Sequence, residues 1–243
     1  MAKKAVKTKP ATKSAKRVTI AVKPRRPTKP SLPLPPPPPP PPPVRAELEA
    51  PRDVARLLRY GERFGSKQID IRMLPVHQQL SIASGRIALG DPNVAKTWKV
   101  LDRPVAAGSF RVMVSVSRDG DDEALAAVVI HVGRPPIVRW TVAHASGQRP
   151  PKSAEQIPRW PVTSRWFALV DPGDGALGVI AVPSAPLAGA AVDVPLTDGR
   201  RALALPCRNG EFAAYWAIGA DDKPVCLVID FDAFTQKEWK AKS

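Results

Sequence analysis

Nine consecutive prolines, at residues 35–43, constrain this chain more than any other feature. Proline fixes φ and offers no backbone N–H, so the run can join neither a helix interior nor a central strand. It favours polyproline II, which rises about 3.1 Å per residue and makes a rod of roughly 28 Å, nearly three Debye lengths at ~0.1 M salt. What lies on either side should therefore behave as electrostatically separate parts. Residues 1–43 carry 11 Lys and Arg, no acids and 14 prolines, while the remaining 200 residues hold 26 basic and 22 acidic residues, a net of only +4 of the total +15. This excludes a uniformly basic globule. It divides the chain into an arm (1–30), a spacer (31–43) and a body (44–243) of suitable size for one domain.

The arm carries Lys3, Lys4, Lys7, Lys9, Lys13, Lys16, Arg17, Lys23, Arg25, Arg26 and Lys29 among Ala, Thr, Val and Pro, with no periodic apolar face. Such a composition cannot bury enough surface to offset chain entropy, so disorder is expected when it is free. The functional reading is sequence-blind attraction to a polyanion, DNA or RNA. No aromatic residue is present to stack on bases, and sequence preference should be weak. The composition resembles the Lys-Ala-Pro tails of histone H1-like proteins. The plain alternative is a solubilising tail. KPRRPTKP also fits a nuclear-import signal, and the proline run fits an SH3 or WW ligand, although nine prolines match PxxP in many registers.

Two cysteines, Cys207 and Cys226, lack CxxC spacing and make no disulfide framework; they read as small apolar thiols of a reducing, cytoplasmic compartment. The apolar stretch at residues 18–22 is too short for a secretory signal. Residues 175–192 carry no charge but contain Pro183 and Pro186 and fall short of the ~20 apolar residues of a span. They read as strand, turn, strand, and no membrane partner is expected.

Within the body, residues 46–64 are the best helix candidate, with Val54, Leu57 and Leu58 at i, i+3 and i+4. Everything later reads as strands. Residues 109–117, SFRVMVSVS, alternate Phe110, Val112, Val114 and Val116 against Arg111, Met113, Ser115 and Ser117, the clearest period-two signal in the chain. Residues 124–132 then form a continuous apolar run suited to a partner strand buried on both faces. Further strands are expected at 68–74, 78–83, 86–89, 137–143, 166–170, 177–182, 201–205, 212–218 and 224–231, separated by Gly, Asp and Asn turns. Residues 146–163 read as a proline-rich surface crossover. The expected fold is mostly β, an antiparallel sandwich or barrel-like single domain with one short N-terminal helix.

Three segments occur in a distinctive order: SGRIALGDPNV (84–94) with the strand pair that follows it, FALVDPGDGALGV (167–179), and NGEFAAYWAIGADDKPVCLVIDF (209–231). This order resembles the uncharacterised family catalogued as domain of unknown function 4241, over residues 68–232. The middle segment departs from the family pattern, with Pro172 and Asp174 in the turn and Ala176-Leu177 where Cys-Phe is usual. The resemblance implies a fold and no activity or cofactor.

No sequence motif points to a reaction. GxSxG, GxGxxG and P-loop patterns are missing. Asp171 and Asp174 lack the alternating ligands and closing glutamate of a calcium loop, and an ordinary turn explains Asp-Pro-Gly. His77, His131 and His144 have no second metal ligand at short spacing; His131, inside an apolar strand, reads as a core histidine. Asp221 and Asp222, like the acids of residues 119–123, read as exposed turns. Of Tyr215 and Trp216, adjacent in a strand, one should enter the core while the other could line a groove with Trp140, Trp160 or Trp166. Asp91, Asp171 and Trp216 are thus the expected ligand cleft, with no metal or cofactor. The chain reads as a non-enzymatic binding module; the alternatives are a small-ligand protein or enzyme, or a bacterial protein–protein accessory factor.

Overall fold

A computed structural model describes residues 47–134, 136–183 and 191–241. The eleven arm cations and the proline run lie outside the described residues, as does 184–190. In chain order the first strands are β1 (Arg63–Phe64), β2 (Lys67–Met73), β3 (Leu80–Ile82), β4 (Ala88–Gly90) and β5 (Lys99–Val100). Then come β6 (Gly108–Phe110), β7 (Val112–Asp119), β8 (Asp122–His131), β9 (Ile137–Val142) and β10 (Trp160–Val162). The last are β11 (Trp166–Val170), β12 (Val192–Pro195), β13 (Arg201–Pro206), β14 (Gly210–Gly219) and β15 (Pro224–Asp230), followed by helix α1 (Gln236–Lys240).

The fold is mostly β and antiparallel, and its larger sheet curls into a half-barrel. That sheet runs β1-β2-β7-β8-β15-β14, and β9 and β10 share the far edge of β14. A second sheet runs β12-β13-β11-β4-β5, and β3 pairs with β6 in a ribbon. Hairpins set the register. Gly120, at φ 62°, lies in the β7–β8 turn, and the β14–β15 turn closes with Gly219 N–H donating to Lys223 C=O at 2.9 Å.

The alternation in β7 places Val112, Val114 and Val116 in a core between the two sheets, with Leu89, Phe167, Leu203, Phe212, Trp216, Leu227 and Phe231. Phe231 lies edge-on to Phe167 at 5.4 Å between centroids and is tilted against Phe212 at 4.8 Å. Each such side chain removed from water contributes about 1.5–3 kcal/mol before chain entropy is counted. The opposite face of β7 is covered too. Ser115 Oγ, fully enclosed, donates to Leu57 C=O at 2.6 Å, and a second core there gathers Val54, Leu57, Phe64, Ile69, Val129, Tyr215, Val228 and Phe234. A third, smaller core covers the outer face of the second sheet with Ile180, Leu177 and Trp98 over Ala88, Trp166 and Ala204.

Several expectations are corrected. The helix at 46–64 shortens to one 3-10 stretch, Val54–Leu58. Three residues per turn align Val54 and Leu57 on one face as well as an α-helix would, and both are fully buried. The α-helix instead lies near the C-terminus, where Thr235 and Glu238 form a reciprocal capping box. Residues 177–182 form no strand; they run irregularly over the second sheet, with Trp98 Nε1 donating to Gly178 C=O and Ile180 N–H to Pro92 C=O. The crossover at 146–163 is not purely surface, since Trp160 and Val162 are buried in β10 against β14. Its prolines hid that strand. His131 sits exposed at the end of β8 rather than in the core, and burial of part of its ring holds its pKa below the usual value. Tyr215 and Trp216 are both buried, because β14 has a core on each face. No helix among the described residues is long and apolar enough to cross a membrane.

Candidate functional site

Asp91 follows β4, and its enclosed carboxylate accepts hydrogen bonds from Thr163 N–H (2.8 Å), Ser164 N–H (2.9 Å), Ser164 Oγ (2.5 Å) and Asn93 N–H (3.0 Å). Burial opposes ionisation, but these donors outweigh it and hold the carboxyl below its ordinary pKa. Asp171 follows β11 and does the same for another corner, accepting from Ala83 N–H, Ser84 N–H (2.9 Å) and Gly173 N–H (2.9 Å). It too is held below its ordinary value, by the hydrogen bonds and against its burial. Ala168 pairs with Gly90 across antiparallel β11 and β4, so the two aspartates cap opposite ends of that pair. Trp216 lies in the central core, with Nε1 donating to Asp102 Oδ1 at 3.1 Å. The three residues do not converge. Each is structural, and the groove expected from them is not where they stand.

Two further buried polar groups serve the fold. His144 N–H donates to Asp102 Oδ1 at 3.3 Å, joining that carboxylate to Trp216. Asp230, fully buried, faces Arg52 at 2.5 Å and accepts Asp232 N–H at 2.8 Å, yet its pKa is raised because burial outweighs the guanidinium. Among the described residues no group of three or more His, Cys, Asp or Glu is placed to hold a metal ion.

A cleft opens elsewhere, between β2, β7 and β8 of the curled sheet and the end of β13, with a volume of about 850 Å³. Its floor is aliphatic: Leu74, Val114, Val116, Leu125 and Leu205. Lys67, Arg72, Arg165, Arg208 and Glu123 contribute to its rim. On β2, Asp70 and Arg72 stand opposite Val116 and Val114, where apolar residues would otherwise close the sandwich. Charge keeps this end open. Asp70, Arg72, Arg118 and Glu123 form a closed ring of ion pairs between 2.6 and 3.2 Å. Lys67 pairs with Glu238 at 3.0 Å, and Arg208 donates to the carbonyls of Phe231 and Asp232.

Arg165 differs from its neighbours on the rim. It lies at φ 63°, a left-handed conformation that costs a non-glycine residue roughly 1–3 kcal/mol. Its backbone is pinned there, with N–H donating to Asn209 Oδ1 at 2.9 Å and C=O accepting Cys207 N–H at 2.9 Å. Among the described residues its guanidinium has no hydrogen-bond or ion-pair partner. Cys207 also lines the cleft; burial and then the nearby Asp91 charge push its thiol up to about 12, so it stays neutral.

The cleft escaped sequence reading because its lining is contributed by residues between Lys67 and Ala233, on strands that become neighbours only in the fold. One signal existed: Gln68, Asp70 and Arg72 alternate with Ile69, Ile71 and Met73, marking a polar face on β2. No protein-family model matches the chain, and no curated protein and no solved structure matches it.

Proposed function

We propose that this chain is a non-enzymatic binding module in which the cationic arm attaches to a polyanion, DNA or RNA, without sequence preference, and the β body holds a small ligand in its cleft. The observation that carries the reading is the partition of charge: 11 cations and no acid in residues 1–43. Several cations of the body are matched internally, and its 26 basic residues face 22 acidic ones. Arg103 pairs with Glu47, Arg139 with Asp222, Arg201 with Asp193 and Arg118 with Asp70, leaving the arm as the concentrated positive surface. The reading includes a cytoplasmic location, supported by two unpaired cysteines. It also includes membership of the family catalogued as domain of unknown function 4241, supported by the order of the three segments within residues 84–231. A protein partner for the body is the alternative use of the same module.

The test is a salt titration of binding to a short duplex of arbitrary sequence. If about five arm charges meet phosphates, log K falls with log salt at a slope of about −4.5, nearly three decades between 50 and 200 mM. The full chain with Gln in place of the eleven arm cations should lose this binding. Equal binding by both proteins, or by neither, would refute the reading of the arm.

A further inference from the structure

Resting on the reading of the body as a ligand-binding module, we infer that the cleft takes a medium- or long-chain fatty acid, with its carboxylate on Arg165 and its chain along the aliphatic floor. The volume of about 850 Å³ lies in the range of small-molecule sites, roughly 300–1,000 Å³. The lining residues Leu74, Val114, Val116, Leu125 and Leu205 are branched and aliphatic. Among the described residues no aromatic ring lines the cleft to stack on a base or a planar cofactor. The floor strand β7 is interior to its sheet, with β2 on one side and β8 on the other. The main-chain groups of β7 are already paired within the sheet, so a peptide strand would find no ladder to extend along this floor. An alkyl chain needs none.

Charge complementarity selects the head group. Arg72 is committed to Asp70 and Glu123, Lys67 to Glu238, and Arg208 to two carbonyls. Arg165 alone among these rim cations keeps its guanidinium unpaired among the described residues, and a guanidinium fork matches one carboxylate bidentately. Its left-handed backbone is a further sign, because glycine would occupy φ 63° without strain.

That strain supplies a discriminating variant. Arg165→Gly removes the guanidinium while relieving the backbone, so it should fold at least as well as the native chain. Titrating the full chain with dodecanoate by isothermal calorimetry should show one site. Arg165→Gly should weaken it by at least tenfold with an unchanged or raised Tm, and Arg165→Lys should restore part of the loss. Dodecanol, with the same chain and no charge, should bind the native protein at least tenfold more weakly than dodecanoate. No dodecanoate binding, or equal affinities for dodecanoate in the native and Arg165→Gly chains, would overturn the inference. The same samples, titrated with duplex DNA, report the arm separately, so a native chain that binds DNA but no dodecanoate sinks this inference and leaves the polyanion reading standing.

Discussion

Asp91 and Ser164 are joined twice: one carboxylate accepts both the Ser164 hydroxyl at 2.5 Å and the Ser164 backbone N–H at 2.9 Å. With Thr163 N–H on the same carboxylate, this fastens the bend between β10 and β11, and hence the backbone of Arg165, to the end of β4. The residue that sequence reading offered as a ligand contact is the anchor of the residue that fits the role.

Asp91→Asn keeps the shape but turns an amide donor toward the N–H and O–H donors around one carboxylate oxygen. It should cost about 2–4 kcal/mol at pH 7, measured by urea unfolding. Because the folded pKa of Asp91 is depressed, its stabilisation is fully present above the unfolded value of about 3.9 and is lost as pH falls through the folded value. The gap between native chain and variant should therefore be widest at neutral pH and close progressively in acid.

Asp230 has the opposite sign. Its folded pKa is raised by burial, so its contribution is greatest below about pH 3.9 and declines as pH rises through the folded value. The stability of Asp230→Asn relative to the native chain should shift in the variant's favour between pH 4 and pH 7. Arg52→Leu leaves the buried carboxylate uncompensated and should cost about 3–5 kcal/mol at pH 7.

Gly133→Ala should destabilise by about 1–3 kcal/mol, because an added Cβ would clash with Pro224 C=O and lie 3.1 Å from the Val225 Cα, both backbone. Gly175→Ala meets nothing within 4 Å and should stay within about 0.5 kcal/mol of the native value. Thermal unfolding of the pair separates close packing from a general effect of the substitution.

Trp216→Phe removes the indole donor to Asp102 and leaves a void in the central core, for a loss of about 1–3 kcal/mol. Trp160→Phe, whose buried Nε1 has no partner among the described residues, should cost less; chemical denaturation of both variants tests the difference.

The central sandwich was legible because the apolar alternation of residues 109–117 and the continuous apolar run of 124–132 are direct imprints of strands buried on one face or on both. The second face was not. Ser115 and Ser117 lie on the other side of the alternation, and Ser115 is enclosed there with its hydroxyl satisfying the Leu57 carbonyl, a long-range pairing that local pattern does not encode. The capping box at Thr235 and Glu238 stood in the sequence as T-x-x-E and would have announced α1. Arg165 left no such mark, since its backbone conformation comes from Asn209 and Cys207, forty residues away along the chain.

The two ends of the body lock onto one another. Arg56 donates to Trp239 C=O at 2.7 Å and lies 4.2 Å from the Phe64 ring centre, while Phe64 stacks on Phe234 at 4.0 Å. During synthesis Phe234 and Trp239 emerge after every strand from β1 to β15, so the curled sheet must wait with one greasy side uncovered until they appear. A chain interrupted between Asp230 and Phe234 would carry β1 to β15 and no clasp, a natural client for chaperones and proteases.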